Sequence, residues 1–365
     1  MRRLTTSAVA LAAAAGAAQA GGLDRTGQGL AFLFETGTYA ELTFGFGAPS
    51  VSGVAVAGLG GASSGDMAAS YSNVAMAYKR DLSDKLALGL VLDQPFGANV
   101  DYPAGTGYYA QGSQAELKTM ALTAILKYKT PSNISVYGGL RYQTMEAWAN
   151  VPFVGTYSVE GDRDAALGYL VGVAWEKPEI ALRVALTYNS AIEHKLDTVD
   201  RSALTGGADV ASVTTIEAPQ SVNLDVQSGI AKDTLLFGSI RWVDWTSFSI
   251  DPAGYPAATP LVSYDNDTVS YSLGLGRRFN ENWSGAVTLG YEPSHGGYSS
   301  NLGPTDGYWS VGLGTTYTQG NMKVTAGVRY VDIGDAQTQL PVAAPSANFT
   351  DNSAIGLGVK VGWSF

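Results

Sequence analysis

The sequence predicts an all-β protein, a transmembrane antiparallel β-barrel of about fourteen strands with a short N-terminal segment. Three observations lead there. Large apolar residues alternate strictly with small or polar ones over many stretches, as side chains on opposite faces of a strand must. Short polar turns and long loops alternate between those stretches. The first twenty residues have the form of an export signal.

Composition agrees. Charged residues make up only 15% of 365 residues, Gly numbers 45 and Tyr 20, and the mean hydropathy is +0.04. That hydropathy is too low for a helical membrane protein but natural for a barrel, where lipid-facing and lumen-facing residues average out. No cysteine is present, so disulfides and thiolate metal sites are excluded. The formal net charge of -10 argues against nucleic acid as a partner.

In chain order, Arg2 and Arg3 precede the apolar run AVALAAAAGA, and Ala18-Gln19-Ala20 reads as a cleavage site. The run is about a dozen residues, short of the roughly 20 that a spanning helix needs. Residues 1–20 are therefore expected to be a signal peptide cleaved after Ala20, which makes the bacterial outer membrane the expected location. Residues 21–37, which begin Gly21, Gly22, Leu23, Asp24 and Arg25, form a short plug-like segment. The barrel occupies 38–365.

Within it, Val136, Gly138, Leu140 and Tyr142 alternate with Tyr137, Gly139, Arg141 and Gln143. The same rhythm runs through Ile180 to Asn189, Trp283 to Tyr291 and Met322 to Tyr330. Several stripes end in an aromatic residue, as a girdle at the membrane interface requires. The last strand ends GVKVGWSF, with Ile355, Leu357, Val359, Val361, Trp363 and Phe365 on one face and Ala354, Gly356, Gly358, Lys360, Gly362 and Ser364 on the other. It reads as the closing strand, apolar face in lipid. A soluble all-β protein would also alternate, but its polar faces would be rich in Lys and Glu rather than Gly, Ala and Ser.

Short turns fall at 81–85, 130–133, 176–179, 231–233, 280–282 and 318–321. Long loops fall near 52–69, 96–113, 147–162, 192–213, 247–264, 293–306 and 333–351. Short turns belong to the periplasmic side and long loops to the outside, which puts both ends of the barrel in the periplasm.

Catalysis is not expected. His194 and His295 are the only histidines, and neither sits in a local constellation. Tyr264-Asp265-Asn266-Asp267 has acidic spacing but lacks the glycine and distal Glu of a calcium loop. The glycine runs at 58–61, 274–276 and 312–314 lack the Gly-Lys-Ser that a phosphate loop requires. No cofactor is expected. Arg141, Arg183, Lys323, Arg329 and Lys360 fall on the small or polar faces of their strands, where they either bias the lumen toward anions or pair with acidic neighbours.

Four stretches carry a resemblance. They are Asp93-Gln94-Pro95-Phe96-Gly97 with Tyr102-Pro103-Ala104-Gly105; Gly168-Tyr169 through Trp175-Glu176-Lys177-Pro178-Glu179 to Leu186-Thr187-Tyr188-Asn189-Ser190 and Ile192-Glu193-His194-Lys195; Pro219-Gln220-Ser221-Val222-Asn223-Leu224 with Phe237-Gly238-Ser239-Ile240-Arg241-Trp242-Val243-Asp244-Trp245; and the closing strand. In this order they resemble the FadL/TodX-type outer-membrane transporters of long-chain fatty acids and other hydrophobic compounds, over nearly the whole mature chain. The resemblance implies a fourteen-stranded barrel that releases an apolar ligand sideways, into lipid, through a kink in the third strand. It also implies that Phe365 and its strand are read by the barrel assembly machinery.

Pro95, Phe96 and Gly97 stand where that opening is expected, since proline cannot donate to a ladder and glycine lets the chain bend. The same residues also read as the plain start of a loop. Members usually carry a longer plug with an Asn-Pro-Ala motif; this chain lacks the motif and reaches strand pattern by Tyr39. The expected ligand is a hydrophobic small molecule such as a fatty acid, held by apolar residues of the long loops: Phe153, Val154, Tyr255, Leu261, Val262 and Leu302. A general diffusion porin for small polar solutes is the alternative, and the short plug favours it.

Overall fold

A computed structural model describes residues 23–365. The expected signal peptide at 1–20, with Gly21 and Gly22, lies outside the described residues. Fourteen antiparallel strands form a closed wall. They are β1 (Tyr39–Ser50), β2 (Tyr71–Asp81), β3 (Leu86–Asp93 and Gly97–Asp101), β4 (Gln114–Lys129), β5 (Ile134–Val151), β6 (Tyr157–Lys177) and β7 (Leu182–Asn189 and Ile192–Arg201). They continue as β8 (Val210–Ala218 and Ser221–Ala231), β9 (Thr234–Val243), β10 (Thr268–Arg278), β11 (Trp283–Glu292), β12 (Tyr308–Gln319), β13 (Met322–Ile333) and β14 (Asn352–Ser364). β14 pairs with β1 from Tyr39↔Ser364 to Ser50↔Ser353 and closes the sheet on itself. In hydrocarbon each unpaired backbone group would cost several kcal/mol, so closure is a condition of spanning.

All six short turns connect strands where the sequence places them. Three of the long loops are shorter than expected: β3 and β4 stay paired up to Asp101↔Gln114, β5 and β6 up to Val151↔Tyr157, and β7 and β8 up to Asp200↔Val210; the last of these shows it most clearly. Alternation there is real but inverted. Ile192, His194, Leu196 and Thr198 are buried, while Glu193, Lys195 and Asp197 are exposed. Lower on the wall the order is the reverse: Leu140, Val171, Val173, Leu186, Leu289 and Leu357 face outward. The outside of the wall changes from lipid to water as a strand leaves the bilayer, and its side chains change with it.

Exposed aromatic residues mark both rims, Trp175, Trp283 and Tyr128 on one and Tyr142, Tyr169, Tyr291, Trp309 and Tyr330 on the other. Inside, small residues make room for large ones. A Cβ added to Gly172 would stand 2.3 Å from the ring of Tyr137, its opposite number on β5, whose hydroxyl shares a hydrogen bond with Thr187. Gly274 accommodates Phe237 in the same way.

The described residues from Leu23 to Phe34 lie inside the barrel. A short 3₁₀ turn, Ala31–Phe34, buries Phe32, Leu33 and Phe34 against Ala77, Ile125, Tyr137, Leu170 and Ala185. Its free carbonyls are taken by lysines from the wall: Lys127 Nζ donates to Leu33 O at 2.6 Å, and Lys79 Nζ to Glu35 O at 2.8 Å. Outside, the loops fold back as a cap. Short strands Gly53–Ala55, Tyr298–Ser299, Ala336–Leu340 and Ala343–Phe349 form one small sheet over a core that includes Tyr102, Tyr108 and Phe349.

Candidate functional site

The wall has an interruption between β2 and β3. Ladder pairing there runs from Asp81↔Ala87 to Met76↔Leu92 and then stops. β3 continues to pair with β4, but residues 94–96 oppose only 119 and 120, a bulge between Asp93↔Ala121 and Gly97↔Lys118. Pro95 has no N–H to offer a neighbour. Phe96 turns inward, with its backbone N and O both held by the Thr119 hydroxyl at 2.9 and 2.7 Å. Among the described residues, Ser72 to Ala75 in the outer half of β2 thus have no ladder partner on this side. Val74 N instead meets the Gln94 side chain at 3.1 Å, and contact resumes only at Ala68↔Val100. Val74, Met76, Met120 and Leu122 flank the interruption with exposed apolar side chains, so it faces the lipid.

From inside, the N-terminal segment takes the place that β2 vacates. Asp24 bridges to Phe96, Arg25 N donates to Pro95 O at 2.8 Å, and Gly97 N donates to Leu23 O at 2.9 Å. The segment is anchored from across the lumen, where Arg241 Nε meets Asp24 Oδ2 at 2.6 Å and a second guanidinium nitrogen of Arg241 donates to Asn223 and Ser221. Sequence reasoning left Arg241, Thr119 and Gln94 without a role. Arg241 and Thr119 face inward, which the alternation supplies without saying what they meet; the alternation gives Gln94 no such position.

Above the kink lies an apolar cavity lined by Leu23, Val100, Leu117, Leu196, Ile216, Leu261, Val262, Tyr264 and Leu302. Three of the six expected ligand residues, Leu261, Val262 and Leu302, line it. The other three do not. Phe153 packs edge-on to Tyr109, Tyr255 to Tyr157, and Val154 lies with them in the cap core. Phe96 packs edge-on against Trp245, which also meets Phe248 and Tyr264, in one buried cluster with Leu23, Leu117, Leu196 and Ile216 of the cavity lining. Leu196 and Ile216 were missed; they belong to the inverted part of β7 and β8, where apolar residues face in.

All five basic residues expected in the lumen lie on the inner side and have partners. Lys323 pairs with Glu35 and Lys360 with Glu41, each at 3.3 Å. Arg141 donates to Thr123 and Asn189, Arg329 donates to Ser310, and Arg183 stacks on the Phe34 ring at 4.5 Å. His194 is fully buried between Asp164 (3.0 Å) and Gln143 (3.2 Å), and His295 sits on an exposed loop. Among the described residues no cluster is suited to hold a metal ion.

Residues 35–365 match the model of a family described as outer membrane protein transport protein (OMPP1/FadL/TodX). Solved structures with the same fold include a Pseudomonas aeruginosa FadL homologue (TM-score 0.76, 13% identity, 97% of this chain and 98% of that one). The Pseudomonas putida toluene transporter TodX (0.66, 13%, 98% and 98%) and the Ralstonia pickettii toluene transporter TbuX (0.64, 12%, 97% and 97%) also share it. No curated protein matches the chain.

Proposed function

Since the chain belongs to the outer membrane protein transport protein (OMPP1/FadL/TodX) family, we propose that it is a passive channel which carries a long-chain fatty acid and releases it sideways into the bilayer. The observation that carries this reading is the interrupted β2–β3 ladder directly beside an apolar cavity. A ligand partitions from the cap into the cavity, because burial of apolar surface is favourable there. It then passes the inward kink at Pro95, Phe96 and Gly97 and leaves between Tyr71 and Gly97, where no backbone ladder has to be broken. The flanking side chains Val74, Met76, Met120 and Leu122 already face lipid, so the ligand never crosses water. No energy source is required for a downhill step of this kind.

A second reading has one observation in its favour. Between the segment from Leu23 to Phe34 and the wall a cavity remains, whose lining includes the polar side chains of Thr187, Asn223, Ser239, Thr288, Ser310 and Arg329. That lining suits small polar solutes.

Uptake of radiolabelled palmitate by cells that lack their own transporter, with and without this protein, tests both, with a small sugar and toluene followed alongside. Palmitate uptake without sugar leakage supports the lateral channel. Sugar leakage without palmitate uptake overturns it in favour of a porin, and toluene uptake alone moves the substrate to monoaromatic compounds.

A further inference from the structure

The apolar cavity is not closed toward the wall. A second cavity continues from it, sharing Leu23, Ala98, Val100, Tyr264 and Leu302, and reaches Tyr71 and Asn99 at the interruption. One cation stands in this passage. Arg25 donates from Nε to Gly97 O at 2.9 Å and from Nη2 to Asn99 Oδ1 at 3.2 Å, and its guanidinium lies 3.2 Å from the Tyr71 ring centroid. It therefore spans the gap from the kinked strand to β2.

Both acceptors are neutral. The adjacent Asp24 is committed to Arg241, and the carboxylate beyond Asn99, Glu116, is held by Lys118 and Trp148. Among the described residues Arg25 has no ion-pair partner. A guanidinium at the edge of an apolar space is costly to desolvate without an anion beside it. Its fork geometry matches a carboxylate.

We propose that Arg25 is the carboxylate anchor at the inner face of the wall opening. The carried compound is then an amphiphile with a single anionic head and a long apolar tail, the head on Arg25 and the tail among Leu196, Ile216, Leu261 and Leu302. A neutral hydrocarbon finds nothing there that requires its head. This inference rests on the lateral-channel reading and adds to it the residue that holds the ligand's head.

The test is equilibrium binding of tritiated palmitate and of its uncharged analogue methyl palmitate to the purified full chain in detergent, against a detergent blank. The wild-type protein is compared with Arg25→Met and Arg25→Lys, and folding is checked by heat-modifiable gel mobility. Loss of one charge-assisted contact predicts that Arg25→Met weakens palmitate by about tenfold or more, weakens methyl palmitate far less, and that Arg25→Lys keeps most of the preference. Equal weakening of both ligands means that Arg25 only shapes the passage and overturns the anchor. Wild-type binding of both ligands with equal affinity overturns it too, while leaving the lateral channel standing. Wild-type binding of neither overturns both.

Discussion

Asp24 and Arg241 stand 217 positions apart in the chain and 2.6 Å apart inside the barrel, both almost fully buried. Their contact fastens the N-terminal segment to β9, opposite the wall interruption that the same segment lines. If one partner of a buried pair is removed, the other is left uncompensated, at a cost of about 3–5 kcal/mol. Asp24→Asn should therefore free residues 23–30 from the wall without unfolding the barrel. Hydrogen exchange checks it: faster exchange at 23–30 with β9–β14 unchanged is expected, and uniform exchange across the chain would show that the segment is not held by this pair.

The kink can be tested through its backbone. A Cβ on Gly97 would lie 3.2 Å from Arg25 Nε and 3.3 Å from Leu117 O. Pro95→Ala with Gly97→Val should allow β3 to straighten toward β2 and narrow the gap. Palmitate uptake is expected to fall several-fold while the heat-modifiable band persists. Unchanged uptake would place the exit elsewhere in the wall.

The apolar cavity separates the six loop residues into two groups. Leu302→Glu puts a charge into the cavity and should weaken palmitate binding by more than about tenfold. Phe153→Ala removes a ring that packs on Tyr109, outside the cavity, and should leave binding near wild type while it loosens the cap. Similar losses in both variants would mean that the cap and the cavity act as one.

Gly172→Val tests the interior packing of the wall. The new side chain would collide with the Tyr137 ring and displace its hydroxyl from Thr187. Overpacking of this kind costs about 1–3 kcal/mol, so the urea midpoint of the barrel should fall. A midpoint equal to wild type would show that Tyr137 has room to move.

His194→Ala leaves Asp164 and Gln143 without a buried partner and should cost about 1–3 kcal/mol of local stability. Palmitate uptake should be unchanged, because His194 is neither one of the residues that line the cavity nor part of the kinked stretch of β3. Loss of uptake in a correctly assembled His194→Ala barrel would reopen a catalytic role.

Much of this architecture is legible in the chain because a membrane strand has one simple rule. Side chains at period 2 must satisfy lipid on one side and a crowded lumen on the other, so Leu140, Arg141 and Tyr142 announce their faces from sequence alone. The turn positions follow from the same rhythm, and so does the number of strands. The rule weakens where the outer solvent changes. Residues 192–201 look like a polar loop because Glu193, Lys195 and Asp197 stand out, yet they are a strand whose inward face is apolar.

Alternation therefore determined the wall, its fourteen crossings and, within the lipid-facing band, the side of it on which a residue such as Leu140 or Arg141 stands. Pro95 and Gly97 marked a place where either pairing fails or a loop begins. Only the tertiary structure decided what meets across the lumen: Asp24 with Arg241, Arg25 with Tyr71, and Leu196 with Ile216, Leu261 and Leu302 around one cavity. Period 2 assigns a face but carries no distance. Closure of the sheet sets the distances, because it brings residues from opposite ends of the chain to the same height and points them at one another.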